Sequence, residues 1–240
     1  MPLQPSLPTP TIRAERLQRI AEILGAKRYL EVGVETGKTF FALNIEHKIG
    51  VDPVFQFKLP NGPPPGHELH DLESDHFFQR FRGDAFDLIF LDGLHTYEQT
   101  LRDFLNSLEP SHARTVWVID DTVPYDEAAA GPDQWAAFEQ QRSIGTPVLT
   151  WMGDVYRVPY FVRRMMPNWT VMTFEGHGMT VLWRKPQRPV DVRRRTTRDP
   201  ATLTYAQFVE TGAEVLNVRS ERDIYDALLA DFGPKRTNEA

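Results

Sequence analysis

Phe86-Asp-Leu-Ile-Phe-Leu-Asp92-Gly-Leu-His95 and, one helix and turn later, Thr115-Val-Trp-Val-Ile-Asp120-Asp121 are short apolar runs that each end in carboxylates. Such unbroken runs of Ile, Val, Phe and Leu read as strands buried on both faces, the pattern of a parallel sheet covered by helices. An open α/β sheet of this kind holds ligands beyond the carboxyl ends of its strands. Asp92, Asp120 and Asp121 are therefore expected at one edge, where three uncompensated carboxylates repel one another. A hard divalent cation such as Mg²⁺, bound by oxygen ligands, relieves that repulsion. His95 follows Asp92 closely enough to act as a base.

Working outward, Ile12, Leu17, Ile20, Ala21 and Leu24 keep helical spacing, and Gly25 supplies a stop. Residues 28–33 read as a strand, 37 to about 46 as a helix and 48–52 as a second strand, which sets up an α/β alternation. Pro60 and Pro63-Pro-Pro65 make 55–66 an irregular loop. A weak strand at 67–72, a short helix at 75–81, the strand at 87–91 and a helix at 95–108 follow. In that last helix Tyr97, Leu101, Phe104, Leu105 and Leu108 share a face. The stretch 122–167 is too long for a simple connection, so helices and substrate-contacting loops are expected there. Residues 169–174 and 179–183, on either side of Gly176-His-Gly178, read as a hairpin that closes the sheet.

With 240 residues, 41% of them hydrophobic, the chain supports one substantial core. The expected organisation is a single domain over 1–185 with an N-terminal helical arm, then a basic linker and helical extension over 186–240. Ile224, Leu228 and Phe232 form one face of the tail, to dock on the core or on a second copy in a homo-oligomer. A formal charge of −6 argues against a nucleic-acid partner and for a small-molecule one. The absence of cysteine excludes disulfides, thiolate nucleophiles and Cys-ligated zinc. The proline-rich start resembles neither a signal peptide nor an anchor, and no apolar run approaches the roughly 18 residues of a membrane span. A cytoplasmic protein is the expectation. Arg193, Arg194 and Arg195 read as a solvated linker, with attraction to an acidic partner as the alternative.

Glu31-Val-Gly33-Val-Glu-Thr-Gly37-Lys-Thr39 leaves a strand and enters a helix, where small residues let the backbone approach a ligand. A phosphate-binding loop needs four residues between its glycines; only three separate Gly33 from Gly37, and Glu35 would repel phosphate. The nicotinamide fingerprint needs glycine where Glu35 stands. The remaining E-x-G-x-x-x-G pattern, with Asp52 ending the second strand, resembles the S-adenosylmethionine loop of class I methyltransferases. That resemblance implies a Rossmann-like, mostly parallel seven-stranded sheet with helices on both faces and a terminal antiparallel hairpin. It also implies that Glu31 and Gly33 line the methionine end of the cofactor, that Asp52 accepts bonds from the ribose hydroxyls, and that Gly37 and Asp92 complete the cofactor contacts. A ligand-free turn at the glycines and a plain Asp-Pro turn at Asp52 stand as alternatives.

Asp92-Gly-Leu-His95-Thr-Tyr-Glu98 together with Asp120-Asp121 resembles small bacterial sugar O-methyltransferases of the macrolide-sugar type, over about 29–183. Catechol-type enzymes are more distant, with a lysine base where this chain has His95. The resemblance implies methyl transfer to a hydroxyl of a sugar or similar polyol in natural-product biosynthesis. Asp92, Asp120 and Asp121 would hold Mg²⁺, and His95 would be the general base. Such chemistry suits these residues: a chelating cation lowers a hydroxyl's pKa and fixes it for in-line attack, and an imidazole takes the proton near neutral pH.

Trp151-Met-Gly153-Asp154-Val155-Tyr156 resembles a W-x-G-D-V-W segment of the same relatives, where core packing competes with contact to a sugar. His67-Glu-Leu-His70 is one residue short of a zinc-binding H-E-x-x-H. Helix capping by His95 and a turn at Asp120-Asp121 are the bland readings. The alternative functions are a metal-dependent hydrolase or isomerase using the same carboxylates, and an inactive cofactor-binding regulatory subunit.

Overall fold

Alternate residues of the run Phe86–Leu91 fill two separate cores: Leu88 and Phe90 face one side of the sheet, Ile89 and Leu91 the other. Unbroken hydrophobicity in that run is thus the mark of a strand covered on both faces. The computed structural model describes residues 12–146, 149–176, 178–185 and 199–233. The proline-rich segment 1–10, His177 of the hairpin turn and the arginines at 193–195 lie outside the described residues.

The strands are β1 (Arg28–Val32), β2 (His47–Asp52), β3 (His67–Asp71), β4 (Phe86–Leu91), β5 (Ser111–Ile119), β6 (Trp169–Phe174), β7 (Thr180–Arg184) and β8 (Val218–Arg219). They form one sheet in the order β3-β2-β1-β4-β5-β7-β6-β8. Strands β1 to β5 are mutually parallel, and β7 runs antiparallel between β5 and β6 as the expected hairpin. The eighth strand, β8, is one more than the seven expected; it pairs parallel to β6. Two residues of strand carry no readable pattern. Asn217 positions them, with a left-handed φ of 51° and a side-chain amide that donates to Val171 O at 2.9 Å.

Helices α1 (Ile12–Leu24) and α8 (Glu221–Phe232) cover one face. The other is covered by α3 (Ser74–Arg80), α4 (Tyr97–Asn106) and α6 (Arg157–Met165). Ile224, Leu228 and Phe232 are buried in the same cluster as Leu17 and Ile20, so the tail helix docks on this chain's own core. Helix α5 (Gln134–Ser143) stands near the cleft, and α7 (Tyr205–Leu216) packs Phe208 and Leu216 with Tyr156 and Tyr160. Among the described residues no helix is long and apolar enough to cross a membrane.

Two helices differ from their reading. The helix expected to reach about residue 46 is α2 (Lys38–Ala42) and stops early, because Lys48 Nζ donates to the carbonyls of Phe40 (2.6 Å) and Leu43 (2.7 Å). Gln18 Oε1 accepts from Asn44 N at 2.8 Å, so the backbone groups at the helix end are satisfied from outside. In α4 the buried face comprises Tyr97, Thr100, Asp103 and Phe104, while Leu105 is 42% exposed. Asp103 is held on that face by Ser74 of α3, whose Oγ donates to its Oδ1 at 2.6 Å.

The chain passes from β1 outward through β2 to β3, then returns to β4 on the other side of β1. At this reversal the tips of β1 and β4 face the same crevice, the place where open α/β sheets bind ligands.

Candidate active site

At the tip of β1, Gly33 takes a φ of +89°, and a Cβ there would lie 1.9 Å from the carbonyl oxygen of Asp92. Only glycine lets the two strand tips cross so closely. They are tied by Asp92 N donating to Val32 O at 2.8 Å. Four residues on, a Cβ at Gly37 would meet the Phe41 ring at 2.6 Å, so this glycine serves packing at the start of α2. Asp52 ends β2, and its two oxygens accept the backbone N–H groups of Glu35 (2.7 Å) and Val54 (2.8 Å). The Asp-Pro turn is therefore real, and it also fixes the carboxylate at the edge of the cleft.

The cleft has a volume of about 940 Å³, and Gly33, Asp52, Asp92, His95 and Asp121 share its wall with Trp151. Glu31, Gly37 and Asp120 are not among its lining residues. Glu31 is buried, with the Tyr29 hydroxyl donating to its Oε2 at 2.6 Å. Burial outweighs that bond and pushes its pKa up to about 8, so it carries a proton at neutral pH.

Past β4 and β5, Asp92, His95 and Asp121 each offer a ligand atom within 4.8 Å of the others. Nδ1 of His95 lies 3.0 Å from Asp121 Oδ2, and Nε2 lies 3.5 Å from Asp92 Oδ1. Trp151 stacks on the imidazole, with ring centroids 5.2 Å apart and planes 19° from parallel. Asp121 adopts a left-handed φ of 56°, a costly conformation for a non-glycine residue. The backbone around it is held on both sides, Asp120 N by Leu91 O (3.1 Å) and Thr122 N by Gly178 O (2.8 Å). Buried hydroxyls of Thr122, Thr180 and Thr173 then link β5, β7 and β6 at 2.7–2.8 Å. The twist at Asp121 sends its carboxylate toward His95.

Asp120 turns elsewhere. Its carboxylate pairs with Nε of Arg13, from the first turn of α1. The same guanidinium reaches Asp92 Oδ2 at 3.2 Å and Asp121 Oδ1 at 3.9 Å. Of the three aspartates expected together, Asp92 and Asp121 converge with His95, while Asp120 anchors an arginine. Oxygen and nitrogen donors in this arrangement fit a divalent ion such as Mg²⁺ or Mn²⁺.

Three carboxylates meet two organic cations here, and their protonation follows from that balance. Burial, then the charge of Asp120, raises the pKa of Asp92 and takes Asp121 to about 7. Burial alone would lower His95, but the bond to Asp92 and the surrounding carboxylates outweigh it and lift the imidazole to about 9. His95 is an imidazolium at neutral pH in this arrangement.

Residues 30–122 match the family model described as a methyltransferase domain. That stretch, from β1 to just past β5, is similar to a methyltransferase domain. The cofactor-bound structure of Rv0187 from MTB shares the fold, at 14% identity and a TM-score of 0.50 over 76% of this chain and 84% of that one. The O-methyltransferase TomG from Streptomyces achromogenes, solved with SAM, is similar at 16% identity and a TM-score of 0.49, covering 75% of this chain and 83% of its own. An O-methyltransferase from Bacillus cereus, solved with SAH, stands at 15% and 0.48, covering 74% and 82%. No curated protein matches by sequence.

The Trp151-to-Tyr156 segment is mostly scaffold. A Cβ at Gly153 would fall 1.5 Å from the carbonyl oxygen of His95, so glycine lets the segment pass beneath the imidazole. Asp154 caps α4 by accepting from Tyr97 N and pairs with Arg157. Tyr156 is buried and donates to Leu203 O at 3.0 Å. Trp151 lines the cleft. His67 and His70 lie on β3, where His67 Nδ1 sits 3.0 Å from Pro65 O and His70 faces Glu68. They join no metal-ligating cluster among the described residues. Sequence reasoning missed Arg13. Its signal was present: Arg13 is four, seven and eleven residues before Leu17, Ile20 and Leu24, a charge on the face that points inward.

Proposed function

We propose that this protein uses S-adenosylmethionine to methylate a hydroxyl of a sugar or similar polyol, with a divalent cation held by Asp92 and Asp121 and with His95 beside it as the proton acceptor. The observation that carries the reading is the convergence of those three residues in one cleft with Gly33 and Asp52. In this reading the ribose hydroxyls donate to Asp52, and the tight crossing at Gly33 brings the backbone against the methionine portion. The sulfonium then faces the carboxylate end, where an acceptor diol is positioned beside His95.

A bound divalent cation supplies Lewis acidity that lowers the acceptor's hydroxyl pKa. His95 takes the acceptor's proton only from its neutral form, so the base role requires positive charge that offsets Asp92 and Asp121. Trp151 holds the ring plane, and the strained turn at Asp121 keeps its carboxylate in place before substrate arrives. The domain match and the fold shared with a cofactor-bound relative support the methyl-transfer class. A second acceptor class, an aromatic diol, is favoured by Tyr125, Phe138 and Trp151 in the cleft wall.

The test is transfer of labelled methyl from S-adenosylmethionine to a panel of sugar diols and catechols, with Mg²⁺ and with chelator. Turnover of either set that falls on chelation supports the reading. Transfer that is indifferent to thorough chelation removes the metal, and no transfer to any hydroxyl acceptor removes the O-methylation.

A further inference from the structure

Arg13 stands where an arginine is poorly placed by its own helix. It is the second described residue of α1, at the positive end of the helix dipole, which disfavours a cation. What holds it there is the carboxylate cluster: Asp120 through Nε, Asp92 at 3.2 Å and Asp121 at 3.9 Å. Asp92 and Asp121 also converge with His95, each offering an atom within 4.8 Å of the others. The guanidinium lines the cleft, and its side chain keeps 32% of its exposure, so it has room to swing out.

We propose that Arg13 and a divalent cation are alternative occupants of this cluster, so that α1 sets the metal affinity of the site. The inference rests on reading Asp92 and Asp121 as metal donors. Seated, Arg13 sets a positive charge against all three carboxylates and covers Asp92 Oδ2 at 3.2 Å. Without Arg13 that charge and that contact are gone. Both Coulombic attraction and access to Asp92 Oδ2 then favour the divalent ion, and its arrival expels the guanidinium by like-charge repulsion. The competition is specific to Arg13. Arg16, one turn on, is committed elsewhere: it donates from Nε to Glu221 Oε1 at 2.7 Å and lies 4.5 Å over the Phe174 ring.

Calorimetric titration of MnCl₂ into the wild-type protein and Arg13→Met tests this. Arg13→Met is expected to bind Mn²⁺ at least tenfold more tightly, with a larger rise in melting temperature on metal addition than the wild type shows. Equal binding by both proteins, or weaker binding by a folded Arg13→Met, overturns the competition while leaving the metal donors intact. No binding by either overturns both readings. Should Arg13→Met fail to fold, hydrogen exchange on the wild type decides: saturating Mn²⁺ should speed exchange in the first turn of α1. Unchanged exchange in metal-saturated protein overturns the proposal. S-adenosylhomocysteine binding, measured separately, tells a failed methyltransferase reading apart from either result.

Discussion

The two halves of the cleft are built by different means. At the glycine turn, the groups that shape the site are satisfied by nearby backbone: Asp52 holds the N–H groups of Glu35 and Val54, and Gly33 admits the carbonyl of Asp92. At the carboxylate end, charge is balanced across the whole fold, with Arg13 of α1 meeting residues about 80 to 110 positions later. The first half is a matter of backbone conformation, the second of side-chain electrostatics. That difference decides what each half tolerates and how each was read.

The largest expected effect lies on the carboxylate side. His95→Ala should lower kcat by about 10²–10⁴, the usual span for an acid–base group, and leave the dissociation constant for S-adenosylmethionine unchanged. Equal losses in both would make His95 a structural residue and erase the contrast between the halves. On the glycine side the cost should fall on stability. Gly33→Ala combines a backbone with φ +89° and a 1.9 Å clash against Asp92 O, so a loss of about 3 kcal/mol is expected, roughly 10 °C in Tm. A melting temperature within a degree or two of wild type would show that the strand tips can part.

A smaller effect tests polar burial beside the cleft. Asp103 is buried and accepts from Ser74 Oγ at 2.6 Å and Gln99 Nε2 at 2.9 Å, yet burial outweighs these bonds and raises its pKa from 3.8 to about 6. A folded pKa above the unfolded one gives stability that is full below about pH 4 and is lost as pH rises through about 6. Chemical denaturation should therefore show Asp103→Asn gaining on wild type by about 1–3 kcal/mol between those pH values, with no further change above. A gap that does not depend on pH would place the proton elsewhere. The smallest effect is expected in the scaffold under His95: Tyr156→Phe removes one bond to Leu203 O and should cost about 1 kcal/mol with kcat unchanged.

The same contrast governs what the sequence makes legible. Unbroken apolar runs identify β4 and β5, and their terminal aspartates stand together at one edge of the sheet, against Arg13. The glycine turn and the Asp52 turn are readable because residue type marks them: glycine for the positive φ at Gly33, and an aspartate before Pro53 at the end of β2. Asp120 and Asp121 are indistinguishable in sequence; the left-handed turn at Asp121, pinned by β7, sends one carboxylate to His95 and the other to Arg13. Lys48 likewise shortens α2 through a contact that periodicity does not express. The pairing of β8 depends on Asn217 reaching β6, a tertiary contact with no local signature.

In the proposed function a methyl donor lies between the tip of β1 and the strand-tip carboxylates. Calorimetric titration of S-adenosylhomocysteine into wild type and Asp52→Ala tests this most directly. The prediction is saturable one-to-one binding by the wild type, weakened at least tenfold in the variant. No heat from the wild type at millimolar ligand, or equal affinity in the two proteins, would contradict it.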